Sequence, residues 1–387
     1  MIKSSSFIEK LTKGNNTARV LNGYVMHMNT PVVRVTNDEC EILDIDLCPF
    51  YLLRTKNIRG WIASRSIDFH RTNSRILRKA IRLFDNKSLK TELDAVLYSR
   101  CVTITDNYWF RENGSTDTFE SVKLLSDKFA DLALTGRFKD FNKIDFMTPE
   151  LTNIGSYEKC WRNINNDWYM YKASTDSEKF SEILASKLGE ELGLDMAGYV
   201  IDLNYPNVVV TRDFTENGNV NFEPMSSIIG DKEDDFEYNV EMIRTIPSQS
   251  RDNNEDLIHQ YLDILFMDAI CFNIDRHSEN YGIIRSTSSG LVIGMAPNFD
   301  NNLSLISRVY DTDKTMASKV FLQPYIDIFN YCSNYTLPQL ERNQVLSIAD
   351  FVNEECMTNF DSEYVADFVI NNYNYIISNV SNDFRYC

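Results

Sequence analysis

The feature that most restricts the fold of this chain is a long apolar helix that leads directly into a polar loop. Within residues 255–272 the apolar side chains recur every three or four positions, which predicts an amphipathic helix with one buried face. The polar segment NIDRHSEN follows at 273–280. Next come two short apolar strands, YGIIR and LVIGM, around a Ser-Ser-Gly turn, and then APNFDN at 296–301. This order predicts a β-hairpin that brings two polar loops together.

The two loops carry the groups that phosphoryl transfer requires. Asp275 and Asn280 stand five positions apart in the first loop, and Asp300 lies in the second. A carboxylate can accept or orient the proton of the attacking hydroxyl, and Mg²⁺ prefers amide and carboxylate oxygens as ligands. The D-x4-N spacing is also that of the kinase catalytic loop. Asp and Asn are common in ordinary turns, so the ordered set of helix, loop, hairpin and Asp300 is more informative than the pair alone.

A second set of candidate residues lies upstream. The segment DWYMYKA at 167–173 has strand character and carries Lys172, and an amphipathic helix predicted at 177–192 carries Glu182. A strand lysine that contacts phosphates and a helix glutamate that orients it form the arrangement of a kinase N-lobe. Lysines and glutamates also cover ordinary surfaces, and Glu178 is an alternative partner. Two strands are predicted after this helix.

His277 has two interpretations. Its position beside acidic residues would suit a hydrolase base or a metal ligand. The other histidines, His27, His70 and His259, show no ligand spacing relative to it. A structural role, in which His277 holds the loop, is therefore favoured over metal binding or base catalysis.

The first 145 residues form a module whose role the sequence does not reveal. Strands are predicted at 18–28 and 30–36, and helices at 66–84 and 121–134. Residues 54–90 contain eleven lysines and arginines against two acids, which would suit an antitoxin or another acidic partner. The alternative is a solvated face, or one that packs on this protein's own acidic surface. The net charge of −17 argues against direct binding of nucleic acid.

The composition narrows the class of protein. Eight cysteines without a CxxC pair, together with four histidines, argue against a zinc site and suit a reduced, cytoplasmic protein. The N-terminus lacks the apolar core of a signal peptide, and no apolar stretch is long enough to span a membrane.

Together the motifs resemble the HipA-like kinases, which include the toxin kinases of bacterial toxin–antitoxin modules and their solitary relatives. Residues 273–280 resemble the family's N-x-D-x-H-x-x-N loop, and 296–301 resemble its P-x-[YF]-D segment. Residues 155–159 resemble the G-x-Q-x-K segment that precedes the ATP lysine. Residues 211–214 resemble the hinge strand that meets adenine through its backbone.

The resemblance implies an α+β, two-lobed, protein-kinase-like fold with a largely helical C-lobe and an additional N-terminal α/β module. The implied segments are the module at 1–145, the N-lobe at 146–215 and the C-lobe at 216–387. The implied activity is ATP- and Mg²⁺-dependent transfer to a serine or threonine of an unidentified protein, and a toxin role is left open. Asp275 would be the base, and Asn280 and Asp300 the Mg²⁺ ligands. The nucleotide would be bound by Gly155, Ser156, Lys159, Lys172, Glu182, Thr211, Arg212, Asp213, Phe214 and His277.

Two other classes of function remain as alternatives. A metal-dependent phosphohydrolase or nuclease could use Asp275, His277 and Asp300, although the negative charge and the lack of further ligand clusters argue against it. A non-catalytic toxin–antitoxin component would act by contact alone, and the complete set of candidate catalytic residues argues against that function.

Overall fold

The computed structural model describes residues 19–85, 91–137, 148–155, 157–232, 235–309 and 314–381. The chain forms two compact units. The first comprises Met1–Ala173, Asp213–Asp231 and Ile284–Leu291, and the second comprises Ser174–Arg212, Lys232–Ile283 and Val292–Cys387. The lobe boundaries implied by the resemblance stay a prediction.

The described residues form helices and three β-sheets in a mixed α/β architecture. The strands are β1 (Gly23–His27), β2 (Thr30–Thr36), β3 (Glu39–Ile42), β4 (Tyr108–Glu112), β5 (Lys159–Ile164), β6 (Asp167–Ala173), β7 (Tyr199–Ile201), β8 (Val208–Arg212), β9 (Val220–Pro224), β10 (Gly282–Ser286) and β11 (Val292–Met295). The helices are α1 (Phe50–Thr55), α2 (Ile58–Ala63), α3 (Thr72–Asp85), α4 (Glu92–Tyr98), α5 (Phe119–Val122), α6 (Ala130–Thr135), α7 (Asp176–Glu191), α8 (Ser226–Ile229), α9 (Phe236–Thr245), α10 (Glu255–Cys271), α11 (Ile306–Val309), α12 (Lys319–Tyr331), α13 (Arg342–Cys356) and α14 (Ser362–Asn379).

The first unit is built on an antiparallel sheet with the strand order β3-β2-β1-β4. Val25 of β1 stands opposite Val33 of β2, and both side chains are fully buried. Branched side chains such as valine suit a pleated, half-buried surface. Trp61 and Val96, from α2 and α4, pack in the same core as these valines. The strand predicted at 30–36 is therefore present with the same bounds, and the strand predicted at 18–28 is present over the shorter range Gly23–His27.

Two predicted helices of the first unit differ from the structure. The helix predicted at 66–84 begins only at Thr72, because Asp68 accepts a hydrogen bond from the backbone N–H of His70 (2.7 Å) and turns the preceding chain. The helix predicted at 121–134 is two short helices, α5 and α6. Ser126 accepts from the N–H of Lys128 at 3.4 Å in the gap between them. Local side-chain bonds of this kind compete with helix formation.

The basic segment at 54–90 is largely engaged within the first unit. Arg65 pairs with buried Asp106 at 2.7 Å, and the buried side chain of Arg71 donates to two backbone carbonyl groups. Arg75 and Lys79 are exposed on α3. The partner predicted for this segment would therefore meet a smaller basic surface than the sequence indicated. The side chains of Arg82, Lys87 and Lys90 lie outside the described residues.

The second unit contains every described helix of fifteen or more residues. α7 begins with a capping box in which Thr175 and Glu178 each accept the other's backbone N–H, at 3.3 and 2.8 Å. α10 is almost entirely buried and packs against α12 and α14. The strand prediction at 167–173 and the helix predictions at 177–192 and 255–272 are confirmed to within one residue at each end. Among the described residues, no helix has both the length and the hydropathy of a membrane span.

The tip of the β10–β11 hairpin belongs to the first unit, as part of Ile284–Leu291. Arg285 forms a buried ion pair there with Glu223 of β9. Gly290 has a φ of +71°, and a Cβ at this position would lie 1.9 Å from the carbonyl oxygen of Asp46. Only glycine allows the backbone to approach this closely.

Candidate active site

The loop at 273–280 is closed by its own side chains. α10 ends as Phe272 adopts the left-handed conformation at φ +55°. Asn273 then accepts the backbone N–H of Asp275 at 3.1 Å. Asn280 accepts the N–H of His277 at 3.0 Å and donates through Nδ2 to the carbonyl of Asp275 at 2.9 Å. These bonds fix the backbone of Asp275 and the orientation of the buried Asn280 amide.

The carboxylate of Asp275 is exposed on this fixed backbone. Within the described residues it makes no hydrogen bond or ion pair, which leaves its oxygens accessible to a ligand. His277 is also exposed, and its Nδ1 accepts the backbone N–H of Glu279 at 3.3 Å. This bond fits the interpretation in which His277 supports the loop.

Asp300 lies in the second loop in a conformation that is uncommon for a residue with a side chain. Its φ is +62°, and its backbone N–H donates to the hydroxyl of Tyr199 at 3.3 Å. Burial and the nearby charges of Glu182 and Asp300 raise the pKa of Tyr199 well above its usual value, so this hydroxyl stays protonated. Backbone strain of this kind is common where a side chain must be aimed at a ligand.

Glu182 lies on α7 and is fully buried. Its Oε1 accepts the backbone N–H of Asn301 at 2.6 Å, so the helix is tied to the residue that follows Asp300. Lys172, its predicted partner, belongs to the first unit, and their pairing stays a prediction.

A buried arginine joins the two loops. Arg276 pairs with Asp268 of α10, whose side chain is 0 % exposed, at 2.8 Å. The same guanidinium donates to the carbonyls of Asn280 and Phe299 at 2.8 and 2.7 Å. Burial raises the pKa of Asp268, while the charge of Arg276 acts in the opposite direction. The structure therefore brings the Asp275–Asn280 loop and the Asp300 loop together through one cation.

The predicted phosphate-contacting residues of the first unit lie on the β5–β6 hairpin and the turn before it. Lys172 is 7 % exposed and stands opposite Lys159 across the two strands. Its ammonium lies 5.0 Å from the ring centroid of Tyr157. Gly155 has a φ of +107°, and a Cβ there would come within 2.6 Å of the Lys159 ammonium. Lys159, Lys172 and the turn at Gly155 thus lie together at one end of the β5–β6 hairpin. Ammonium groups beside a glycine turn form a surface that suits phosphate binding. Ser156 lies outside the described residues.

The predicted hinge falls where the chain passes from the second unit to the first. Thr211 and Arg212 end β8, and Asp213 and Phe214 follow in the first unit. The Asp213 carboxylate is buried and accepts hydrogen bonds from Thr215 at 2.8–3.0 Å, so this side chain serves its own turn. A role in adenine binding is therefore left to the backbone and stays a prediction.

The donor groups of the two loops fit Mg²⁺. Asn280 Oδ1 accepts one hydrogen bond, and a carbonyl oxygen has two lone pairs, so one remains for a metal. Asp300 supplies a carboxylate. Mg²⁺ is commonly held by one or two such side chains together with phosphate oxygens and water. Within the described part of the chain, no group of three or more histidine, cysteine or acidic side chains could hold a metal by itself.

Sequence reasoning missed Arg276 and Asp268 as functional candidates. A signal for them was present, because a carboxylate on the buried face of an apolar helix requires a partner. Asp268 interrupts the apolar stretch of α10, and Arg276 follows it by eight residues. The pairing itself could not be predicted, since it depends on how the chain turns after Phe272.

The helix, the D-x4-N loop, the hairpin and Asp300 follow one another in the order that the sequence predicts. No family model and no curated protein match the chain. The chain is similar to the solved kinase CtkA of Helicobacter pylori, described as proinflammatory, at 20% identity, over 57% of this chain and 90% of that one, with a TM-score of 0.39. It is also similar to HipA of Shewanella oneidensis, solved with HipB and operator DNA, at 9% identity, over 92% and 96%, with a TM-score of 0.47. The expected resemblance to HipA-type kinases is confirmed, and the residue roles depend on this chain's own geometry.

Proposed function

We propose that this chain is a HipA-like protein kinase that transfers the γ-phosphoryl group of ATP to a serine or threonine hydroxyl. The observation that carries the proposal is the fixed loop at 273–280, which presents an exposed Asp275 carboxylate and is joined through Arg276 to the segment that bears Asp300. This arrangement supports the proposal, because the proposed base and the two proposed Mg²⁺ ligands lie on loops that are hydrogen-bonded to one another through Arg276.

In the proposed reaction, the hydroxyl oxygen of the acceptor forms a bond to the γ-phosphorus. The bond between that phosphorus and the β–γ bridging oxygen breaks, and its electron pair leaves with ADP. The hydroxyl proton passes to the carboxylate of Asp275. A positioned base of this kind contributes about 10²–10⁴ in rate.

The remaining predicted residues serve the nucleotide. Lys172, oriented by Glu182, contacts the α- and β-phosphates, and the turn at Gly155 and Lys159 adds backbone and ammonium donors. Asn280 and Asp300 would hold Mg²⁺, which would neutralise charge on the bound phosphates. The backbone at 211–214 meets adenine. A toxin role with a cognate antitoxin is the narrower form of this proposal.

The test is incubation of the purified protein with labelled ATP, Mg²⁺ and a mixture of acceptor proteins. Asp275→Ala and Asp300→Ala should lose the transfer of label, and calorimetry should show that Asp300→Ala also loses Mg²⁺-dependent ATP binding. Asp350→Ala is the matched control, because Asp350 is an exposed aspartate on α13.

Two results would contradict the proposal. Wild-type levels of labelling by Asp275→Ala would remove the base assignment. No labelling together with no ATP binding by the wild type would remove the kinase function altogether.

A further inference from the structure

The Arg276 guanidinium uses its whole donor set inside the candidate site. Its side chain is 7 % exposed. Its five N–H hydrogens are shared among acceptors on five residues, and the two hydrogens of Nη2 face three of these acceptors. The acceptors are Asp268, Asn280, Asn298, Phe299 and Asn301. Four of these five flank or include the residues proposed to hold Mg²⁺.

One nitrogen of the guanidinium spans the two loops. Nη1 donates to the carbonyl of Asn280 at 2.8 Å and to that of Phe299 at 2.7 Å. Because Phe299 immediately precedes Asp300, this nitrogen is bonded to one candidate ligand residue and to the neighbour of the other. A change in the position of Arg276 therefore alters the distance between the two ligand residues.

The second nitrogen fixes the other side of Asp300. Nη2 donates to Asn298 Oδ1 and to Asn301 Oδ1, both at 2.8 Å. Asn301 also accepts from Asn273 Nδ2 at 3.3 Å. Asp300 thus stands between residues whose positions are set by the same cation, which supports its uncommon φ of +62°.

The charge of Arg276 is balanced where it enters the site. A lone cation beside a metal site would oppose metal binding. Asp268 accepts from both Nε and Nη2, at 2.9 and 2.8 Å, so the pair as a whole is neutral. Because of this pairing, the guanidinium can position the two loops without adding a net positive charge beside the proposed Mg²⁺ site.

We propose that Arg276 is a positioning residue that sets the separation of Asn280 and Asp300 and thereby the Mg²⁺ affinity of the site. The inference depends on the proposed function, since it assigns these two residues to Mg²⁺. Lysine cannot replace arginine here, because the three donors of an ammonium cannot serve the acceptors on five residues that the guanidinium reaches.

The test measures the Mg²⁺ concentration that gives half-maximal transfer, at saturating ATP, in Arg276→Lys. The expected result is a rise of at least about tenfold, as is common when residues that orient metal ligands are changed. Asn298→Ala removes one of the acceptors beside Asp300 and should give a smaller rise in the same direction. The matched control is Arg285→Lys, which alters another buried arginine–carboxylate pair and should leave this concentration unchanged.

A merely structural role predicts a different pattern. Loss of folded protein would lower the maximal rate in Arg276→Lys and leave the half-maximal Mg²⁺ concentration at the wild-type value, and that result would overturn the proposal. If Arg276→Lys does not fold, an unchanged value in Asn298→Ala overturns it instead.

The proposed function can fail separately. If the wild type transfers no label, the Mg²⁺ dependence of ATP binding, measured by calorimetry on the same variants, replaces the rate. An unchanged dependence then overturns the positioning role, and a wild type that binds no ATP overturns both proposals.

Discussion

Two buried arginines nine positions apart have similar chemistry and different surroundings. Arg276 pairs with Asp268 in the second unit, and Arg285 pairs with Glu223 in the first. Both guanidiniums also donate to backbone carbonyls of chain segments distant in sequence. Arg276, however, contacts the loops that carry the candidate catalytic residues. The described acceptors of Arg285 lie in the first unit, outside those loops.

The difference teaches that burial of an ion pair does not by itself indicate a functional site. A buried pair is often no more stabilising than well-packed apolar residues. The functional information lies in the remaining donors of each arginine. For Arg276 these reach Asn280 and the segment around Asp300, whereas for Arg285 they reach the carbonyls of Asp46, Cys48 and Gly290.

The largest expected effect comes from breaking each pair at its carboxylate. Asp268→Asn and Glu223→Gln each leave a buried guanidinium without its counter-charge, which costs about 3–5 kcal/mol in the free energy of unfolding. Chemical denaturation followed by tryptophan fluorescence and circular dichroism would measure both losses. The Mg²⁺ dependence of transfer, at a temperature where both variants are folded, should change in Asp268→Asn alone. A change of equal size in Glu223→Gln would abolish the distinction between the two arginines.

A smaller expected effect is the loss of stability at low pH, which belongs to the first unit around Arg285. Burial lowers the pKa of His27 to about 4, with the charge of Arg285 acting in the same direction. His27 Nε2 lies 3.0 Å from Asn221 Nδ2 and accepts its hydrogen bond in the neutral form. The unfolded chain binds this proton near pH 6.5 and the folded chain does not. Stability is therefore lost as the pH falls from about 6.5 towards 4, by on the order of 3 kcal/mol.

His27→Gln checks this assignment. Glutamine can accept the same hydrogen bond and does not titrate. Between pH 7 and pH 5 the thermal unfolding midpoint should therefore fall by less in the variant than in the wild type. Parallel pH profiles for the two proteins would show that His27 does not account for the acid sensitivity.

The smallest effect belongs to an arginine on the surface. Arg342 contacts Glu363 and, at 2.7 Å, Asp367, and its side chain is 37 % exposed. Solvent and salt screen such pairs, so few of them contribute measurably to stability. Arg342→Ala should leave the thermal unfolding midpoint and the transfer rate at their wild-type values. A clear fall in the midpoint would mean that side-chain exposure does not predict the relative contributions of Arg276, Arg285 and Arg342 to stability.

The sequence predicted the elements whose apolar pattern is long and regular. The strand at 167–173 and the buried helix at 255–272 were readable because one period dominates each of them. The break at 123–129 was not readable, since Leu124 is buried and Leu125 is 71 % exposed, a difference that only the fold determines. The start of α3 was also missed, because turn chemistry at Asp68 overrides helix propensity.

The candidate site shows the same limit. Asp275, Asn280 and Asp300 could be proposed from their order and spacing, because the chemistry proposed for them depends on residue type alone. For Arg276 the sequence holds only an indirect signal, the buried Asp268 that requires a partner, and the contacts of Arg276 to both loops could not be predicted because they depend on how the chain turns after Phe272. Their roles in catalysis stay predictions until the transfer assay is done.

The close approach of Gly290 to Asp46 has a consequence for how this chain can vary. Hairpin tips ordinarily tolerate insertions, because they project into solvent. At this tip Ser288 is exposed, but Gly290 is buried against the backbone of Asp46, and the chain on either side of the tip leads to Asn280 and to Asp300. An added residue next to Gly290 would have to displace the packed backbone or shift one flank. We therefore expect related sequences to keep the number of residues between the two polar loops constant, even where the residues themselves differ.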